Sequence, residues 1–301
     1  MDETRITRFD RGSHTFDVTD EGPIDGEPIV LLHGFPQRAS CWELVAEILH
    51  DNGFRTLAPD QRGYSPGARP ARRRDYVQSE LTADVLALLD AAGLERAHVV
   101  GHDWGALVGW AVAAHHPERV KTLTALSVPH PGAFLRSMRH GQVFRSWYMA
   151  AFQVPVVPEK FLGWAMRTQP DFGERMGLPQ PFASRIAREI GEYGALPGAL
   201  GWYRAMPLPD KRSAPRPVRV PTTFVWGDAD PAIGEEAARL CSGWVDAKYE
   251  FIALRGADHW LPEAHADDVV AAVLDRVGDL APANGSTTAP SAVGPSAQDS
   301  A

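Results

Sequence analysis

The residues best suited to chemistry are the pentapeptide Gly101-His102-Asp103-Trp104-Gly105, which lies between an apolar strand-like run and an apolar helix-like run. In that setting a G-x-nucleophile-x-G pattern is typical of a sharp turn that exposes a nucleophile, and the glycines leave room beside it. The central residue is Asp, whose carboxylate is an anion at pH 7 and needs no base to activate it. Asp103 is therefore predicted to attack an electrophilic carbon and form an alkyl ester. The alternative interpretation of Asp103 is a helix N-cap.

An ester on Asp103 must be cleaved by water, and this step needs a general base and an oxyanion hole. His259 is the predicted base, and Asp230, which follows a strand-like run, is predicted to orient it. The order nucleophile, acid, histidine is the one expected for this type of sheet. Asp228 and Asp258 are the alternative acids. Asp258 suits the role less, because neighbouring side chains in an extended loop usually point apart.

The oxyanion hole is predicted to be built from backbone N–H groups. His33-Gly34-Phe35-Pro36 follows the first strong strand pattern. The N–H groups of Phe35 and Trp104 are predicted to converge on the ester oxygen, since such donors come from the residue after the nucleophile and from an earlier loop. The Phe35–Pro36 bond is a candidate cis peptide, and an ordinary Gly-Pro turn is the alternative.

The elements that position these residues alternate between strand and helix patterns. Residues 79–89, 104–115 and 268–277 are predicted helices, the first with apolar residues on one face. Strands alternating with helices of this length predict βαβ units and a mostly parallel sheet, with helices on both faces. The predicted strands are Ile29–Leu32, Arg55–Ala58, Ala97–Val100, Lys121–Leu126, Thr222–Val225 and Tyr249–Ile252.

The alternation breaks in a segment rich in aromatic residues, Pro and Gly. We therefore predict an α/β core over 1–129 and 216–280, interrupted by a helical cap over 130–215, here called the cap segment. Residues 281–301 have no aromatic residue and almost no charge, and they are predicted to be a disordered tail.

Composition excludes several classes of protein. The 301 residues include 30 basic and 38 acidic residues, a net charge of −8, which argues against a nucleic-acid partner. The N-terminus lacks a signal-like apolar region and no window is long enough for a membrane span, so a cytoplasmic protein is expected. Cys41 and Cys241 are interpreted as free buried thiols, with a bridge as the alternative. No metal or cofactor is expected, and the adjacent His115 and His116 would face different directions on a helix.

Taken together, the motifs resemble those of α/β-hydrolase-fold epoxide hydrolases. They are His-Gly-Phe-Pro (33–36), Asp-Gln-Arg-Gly-Tyr (60–64), Gly-His-Asp-Trp-Gly (101–105), Trp-Gly-Asp-Ala-Asp (226–230) and His259-Trp260. The resemblance covers residues 5–278. One departure is Ser65 after Tyr64, where the family more often has Gly, and it leaves the proposed catalytic positions intact. Haloalkane dehalogenases share the Asp-Trp turn and the ester mechanism.

The resemblance also implies two cap tyrosines that hold the epoxide oxygen. Tyr203 in Gly-Trp-Tyr-Arg (201–204) matches the second, and Tyr148 matches the first, with Tyr193 as a competitor for that position. Ring opening develops an alkoxide, and a phenol with an ordinary pKa near ~10 can donate a hydrogen bond or proton to it. Packing within the cap segment is the alternative role of each tyrosine.

The predicted activity is hydrolysis of a small apolar epoxide by water to a vicinal diol, with a homodimer as one possible assembly. The first alternative is a haloalkane dehalogenase, whose halide would need Trp104 and a second donor such as Trp147 or Trp164. A fluoroacetate-type dehalogenase is disfavoured, because 104–109 contains no arginine. The second alternative is a catalytically silent binding protein. The residues expected to line the substrate pocket are Phe35, Trp104, Trp147, Phe152 and Trp260.

Overall fold

A computed structural model describes residues 5–278 as an eight-stranded sheet with strand order β1-β2-β4-β3-β5-β6-β7-β8. β1 and β2 pair antiparallel, β2 pairs antiparallel with β4, and the remaining neighbours are parallel. The mostly parallel sheet is therefore as predicted. The strands are β1 Arg8–Arg11, β2 His14–Glu21, β3 Glu27–Leu32, β4 Phe54–Pro59, β5 Ala97–His102, β6 Val120–Leu126, β7 Thr222–Gly227 and β8 Tyr249–Leu254.

The antiparallel edge formed by β1 and β2 was not predicted. Both strands are largely charged and polar, and only alternate side chains are buried. Phe9 and Phe16 lie opposite each other in the register and stack with ring centroids 4.6 Å apart. One buried face is sufficient for an edge strand, so the apolar run that marked the central strands is missing here.

The helices are α1 Glu43–Asp51, α2 Gln78–Ala91, α3 Trp104–His115, α4 Pro131–Ser137, α5 Gln142–Arg145, α6 Trp147–Ala151, α7 Val157–Thr168, α8 Phe172–Arg175, α9 Phe182–Ile186, α10 Leu196–Ala205, α11 Glu235–Arg239, α12 Leu261–Ala264 and α13 Ala266–Gly278. The three predicted helices match α2, α3 and α13 to within a few residues. α1 was not predicted.

The core lies on both faces of the sheet. Val30 and Leu32 of β3 pack with the side of the sheet covered by α2 and α3. Ile29 and Leu31 point the opposite way and pack with the side covered by α1 and α13. Burial on both faces explains why the central parallel strands are continuous apolar runs. It also makes the carboxyl ends of β3, β5 and β7 a rigid edge.

Between β6 and β7 the described secondary structure is helical, from α4 to α10, with a π-helix at Ala187–Glu192. α4 packs on the core, because the His130 ring before it stacks on Trp244 at 4.7 Å. The limits of 130 and 215 stay a prediction, and the tail at 281–301 lies outside the described residues.

The two cysteines lie in different buried clusters. Cys41 packs in the cluster beside α1 and α13, and Cys241 packs in the one beside α2 and α3. Both thiols are free and buried, as predicted. Within residues 5–278, no helix is long and apolar enough to cross a bilayer.

Candidate active site

Asp103 occupies a strained turn between β5 and α3, with φ 52° and ψ −118°. A Cβ at Gly101 would lie 2.3 Å from the Gly105 oxygen, and a Cβ at Gly105 would lie 1.9 Å from the Leu32 oxygen. Only glycine fits at these two positions, because no side chain tolerates a backbone atom so near. The turn is therefore locked against the end of β3, and positive φ at a non-glycine residue is typical of a functional site.

The Asp103 carboxylate has two partners. Oδ1 accepts a hydrogen bond from the Phe35 backbone N–H at 2.7 Å, and Oδ2 lies 3.4 Å from His259 Nε2. Burial by itself would raise the pKa of Asp103, but the hydrogen bonds and positive charge of His259, with the Phe35 N–H, lower it below its ordinary value. The carboxylate is thus held ionised, as a nucleophile requires. The Phe35–Pro36 peptide bond that follows this residue is cis.

His259 lies between two carboxylates. Its Nδ1 is 2.7 Å from Asp230 Oδ2, and the Asp230 side chain is fully buried. Burial by itself would lower the pKa of His259, but Asp230 and Asp103 together raise it well above its ordinary value. The two carboxylates on either side of the ring therefore favour the protonated, imidazolium form of His259.

The two alternative acids contact other groups. Asp228 is exposed and accepts a hydrogen bond from the Gly256 N–H at 2.6 Å. Asp258 accepts a hydrogen bond from the Trp260 N–H at 3.0 Å. Asp230, by contrast, is anchored on its other oxygen by the N–H groups of Ala232 and Ile233, at 2.7 and 3.0 Å. The geometry favours Asp230 as the partner of His259.

Two tyrosines of the cap segment approach the same carboxylate. The ring of Tyr203, from α10, packs edge-on against Trp104 at 4.9 Å and Phe35 at 5.3 Å. The ring of Tyr148, from α6, lies 6.1 Å from Tyr203. Burial, together with the negative charge of Asp103, raises the pKa of both hydroxyls above the ordinary value near 10. Both are therefore protonated and able to donate.

Tyr193, the competitor for Tyr148, lies elsewhere. The guanidinium carbons of Arg38 and Arg69 lie 3.7 and 4.9 Å from the centre of its ring. The structure brings Tyr148, rather than Tyr193, to Asp103.

The other predicted aromatic residues divide into two groups. Phe152 packs against Phe35 at 5.7 Å and Tyr203 at 5.0 Å, and Trp260 packs edge-on against His259 at 5.4 Å. Trp147 differs from the prediction, because its side chain is 70% exposed on the outer face of α6 and does not line the site. α6 is too short for its sequence to show which face is buried.

Several residues behind His259 escaped the sequence reasoning. The His259 backbone carbonyl accepts a hydrogen bond from Ser127 Oγ at 2.8 Å and lies 2.8 Å from His102 Nε2. His102 Nδ1 is 3.0 Å from the side-chain amide of Gln37, which in turn contacts Glu263. Gln37 directly follows His-Gly-Phe-Pro, and Glu263 lies four residues after His259, so their proximity to the motifs was the available signal.

Comparisons with known proteins agree with this geometry. A family model described as the alpha/beta hydrolase fold matches residues 27–266. "Epoxide hydrolase A" of Mycobacterium tuberculosis is 35% identical over 298 residues, covering 85% of this chain and 92% of the relative. "AB hydrolase superfamily protein YfhM" of Bacillus subtilis is 31% identical over 270 residues, covering 87% of this chain and 93% of the relative.

A solved structure is also similar along most of its length. The crystal structure of Epoxide Hydrolase A from Mycobacterium thermoresistibile superposes with a TM-score of 0.73 at 29% identity, covering 88% of this chain and 95% of that one. With the family model matched over most of the sheet and a relative above 30% identity across nearly its full length, the chain belongs to the epoxide hydrolase family of the α/β hydrolase fold.

Proposed function

We propose that this protein hydrolyses an epoxide to a vicinal diol through an alkyl ester on Asp103. The observation that carries the proposal is the surroundings of one ionised carboxylate. A backbone donor, a histidine and two protonated tyrosines approach Asp103, which lies among aromatic rings. Each of these groups has a task in one of two half-reactions.

In the first half-reaction, an Asp103 oxygen attacks a ring carbon and the carbon–oxygen bond of the epoxide breaks. The alkoxide that develops is a much stronger base than a phenolate, so Tyr148 and Tyr203 donate to it as it forms. Because burial and the charge of Asp103 keep both hydroxyls protonated, the donors are present before the substrate arrives. Their stabilisation of the transition state therefore requires no prior proton transfer.

In the second half-reaction, His259 removes a proton from water, and the water attacks the ester carbonyl. The Phe35 N–H already contacts Asp103 Oδ1, and Trp104 begins α3, where a backbone N–H has no partner within the helix. These two donors would hold the negative oxygen of the tetrahedral intermediate. Asp230 stabilises the imidazolium that forms.

The proton balance of the cycle follows from the two acids around His259. Alkylation removes the charge of Asp103, so the imidazolium loses one of the carboxylates that raised its pKa. His259 therefore releases one proton, and the alkoxide gains one proton by way of a tyrosine, so the two transfers balance. His259 is then neutral when a base is needed, and cleavage of the ester restores both the carboxylate and the imidazolium.

The substrate we propose is small and apolar. The side chains around Asp103 are mostly aromatic, with Phe35 and Trp104 from the core and Phe152 from the cap segment. An apolar body would displace water from these rings, while Asp103 would act on the ring carbon and the two tyrosines on the oxygen. The halide site of the dehalogenase alternative finds no support here, because Trp147 and Trp164 are 70% and 48% exposed.

The test is incubation with styrene oxide and, separately, a terminal haloalkane, measuring diol and halide release. Diol release alone is expected. Halide release without diol would overturn the proposal in favour of dehalogenation, and tight binding without either product would favour a silent binder. His259→Gln should allow the ester on Asp103 to accumulate, visible as a mass increase of the intact protein.

A further inference from the structure

A chain of buried polar side chains leads away from the backbone carbonyl of His259. It consists of His102, Gln37 and Glu263, all of which are buried. His102 Nε2 lies 2.8 Å from the His259 carbonyl oxygen, and His102 Nδ1 lies 3.0 Å from the Gln37 amide. In the structure Gln37 Oε1 faces His102 and Gln37 Nε2 contacts Glu263 Oε1, while Glu263 Oε2 is buried with no hydrogen-bond partner among residues 5–278.

The hydrogen bonds in this chain can be arranged in two ways, because the Gln37 side-chain amide can face His102 with either its oxygen or its NH₂ group. If the Gln37 oxygen faces His102, both ring nitrogens of His102 face oxygen atoms. A neutral His102 then leaves one unprotonated nitrogen facing an oxygen, and hydrogen bonds at both nitrogens require a doubly protonated His102, which is a buried cation. That state is unfavourable, because burial and the nearby His259 lower the pKa of His102 to about 4.

The opposite orientation of Gln37 gives both ring nitrogens of His102 a partner with no buried cation. The Gln37 NH₂ donates to His102 Nδ1, which leaves the single proton of a neutral His102 on Nε2, where it is donated to the His259 carbonyl. The Gln37 oxygen then faces Glu263 Oε1 and needs a donor there. Only a protonated Glu263 carboxyl supplies one.

We propose that Glu263 is a positioning residue: its protonated carboxyl orients Gln37, fixes the Nε2–H form of His102, and so holds the backbone of the base His259. The chain of donors runs from Glu263 through Gln37 and His102 to the His259 carbonyl. The expected effect on ester hydrolysis rests on the proposed function, whereas the expected position of the proton on His102 does not.

The surroundings of Glu263 suit a neutral acid. Burial raises the pKa of Glu263 to about 8, against the opposing effects of its own backbone N–H, Gln37 and His259. Two arginines line the same pocket as Glu263, but each is paired with another carboxylate. Arg38 forms an ion pair with Asp60, and Arg185 forms one with Glu43. The remaining titratable groups that face Glu263 are Cys41, His102, Glu189, Asp258 and His259.

Ionisation of Glu263 would reverse the direction of the hydrogen bonds along this chain. A carboxylate only accepts hydrogen bonds, so the Gln37 NH₂ would turn toward it and present oxygen to His102. The proton of His102 would then move to Nδ1, and a bare Nε2 would face the His259 carbonyl. His259 would keep the Ser127 hydroxyl as an anchor but lose the one supplied by His102.

The structural experiment uses ¹⁵N-histidine NMR of the ligand-free protein, with the His102 ring assigned from its loss in His102→Gln. At pH 6.5 we expect a protonated Nε2 and an unprotonated Nδ1, and above pH 9 a shift toward the Nδ1–H form. Glu263→Gln, whose amide donates at any pH, should keep the Nε2–H form at both values. A His102 that is Nδ1–H or doubly protonated at pH 6.5, or one unaffected by pH in the unsubstituted protein, would overturn the proposal.

The kinetic experiment measures ester formation and ester hydrolysis separately between pH 6 and 9.5. Hydrolysis should decline above pH 8 in the unsubstituted protein and not in Glu263→Gln, while Glu263→Leu should slow hydrolysis about tenfold at pH 7 with little effect on ester formation. Glu236→Gln, at an exposed site on α11, is the matched control. The tyrosines do not titrate in this range, because burial raises the pKa of both.

The outcomes separate the two proposals. If no epoxide forms an ester, the proposed function fails, and the NMR result still decides the role of Glu263. If esters form and Glu263→Gln keeps the alkaline decline, the positioning role is wrong. Should Glu263→Leu fail to fold, the comparison of Glu263→Gln with the unsubstituted protein decides alone.

Discussion

Asp230→Asn tests which nitrogen of His259 must carry the proton. Asp230 Oδ1 accepts hydrogen bonds from the N–H groups of Ala232 and Ile233, and Oδ2 lies 2.7 Å from His259 Nδ1. In the Asn variant the two backbone donors need an oxygen, so the amide oxygen should take the place of Oδ1. The NH₂ group then faces His259 Nδ1.

That arrangement forces the wrong tautomer on the base. Nδ1 must accept from the new NH₂ group, so the ring proton moves to Nε2, the nitrogen that lies 3.4 Å from Asp103 Oδ2 and faces the reacting centre. A protonated Nε2 cannot take a proton from water. Since general-base catalysis contributes about 10²–10⁴-fold, ester hydrolysis should slow by that factor. Ester formation should change much less, because Asp103 keeps the Phe35 N–H.

The assay is a single turnover with enzyme in excess, quenched on a millisecond-to-minute scale and followed by intact mass. The Asn variant should hold the ester while the unsubstituted protein returns to its starting mass. Asp228→Asn and Asp258→Asn serve as matched controls, because their carboxylates contact other backbone groups. If Asp230→Asn hydrolyses the ester within threefold of the unsubstituted rate, or if a control carries the loss instead, the tautomer argument is wrong.

Three further predictions concern the tyrosines, the nucleophile turn and the buried acid. Tyr148→Phe and Tyr203→Phe should each slow ester formation about 10²-fold, whereas Tyr193→Phe should change it less than twofold; equal effects at all three would contradict the geometry. Gly105→Ala should abolish or severely lower the thermal unfolding midpoint, since its Cβ would lie 1.9 Å from a backbone oxygen of β3; an unchanged midpoint would show that the turn can relax. Because the pKa of Glu263 is raised to about 8 in the fold, that residue stabilises the protein fully only below its unfolded pKa near 4.5 and loses the contribution as pH rises to 8. Measured by urea unfolding, the free energy of unfolding of Glu263→Gln should rise by a few kcal/mol relative to that of the unsubstituted protein between pH 5 and 8.5. Parallel pH curves for the two proteins would refute this.

The sequence predicted the features that depend on local pattern. Central strands such as β3 and β5 are apolar on both faces, so each reads as an unbroken run whatever lies beside it. The turn at Asp103 was recognisable because its two glycines are required: a Cβ at Gly101 or Gly105 would lie 2.3 or 1.9 Å from a backbone oxygen. β1 and β2 were missed because an edge hairpin buries only alternate side chains, such as Phe9 and Phe16, within a charged sequence.

The features that the sequence could not give are those set by distant parts of the chain. Gln37 and Glu263 are 226 residues apart, and no spacing rule links them. The two neighbours in α6 show the same limit on a smaller scale: Tyr148 approaches the site while Trp147 is 70% exposed. A five-residue helix has too few turns for its period to reveal which face is buried.

The two cap tyrosines differ in how far contacts with the core fix their positions, and this affects how the oxygen of a substrate would be bound. Tyr203 follows Trp202, whose ring is buried and whose Nε1 donates to the Arg62 carbonyl of the core at 2.7 Å. Tyr203 is therefore fixed in the same frame as the nucleophile. Tyr148 lies in α6, where no residue is fully buried and the preceding Trp147 is exposed. Catalysis by positioned groups loses rate steeply with small displacements. If the proposed function is right, the hydroxyl of Tyr203 would supply a fixed reference point for the epoxide oxygen, and α6 is the element whose movement would adjust the site to substrates of different size.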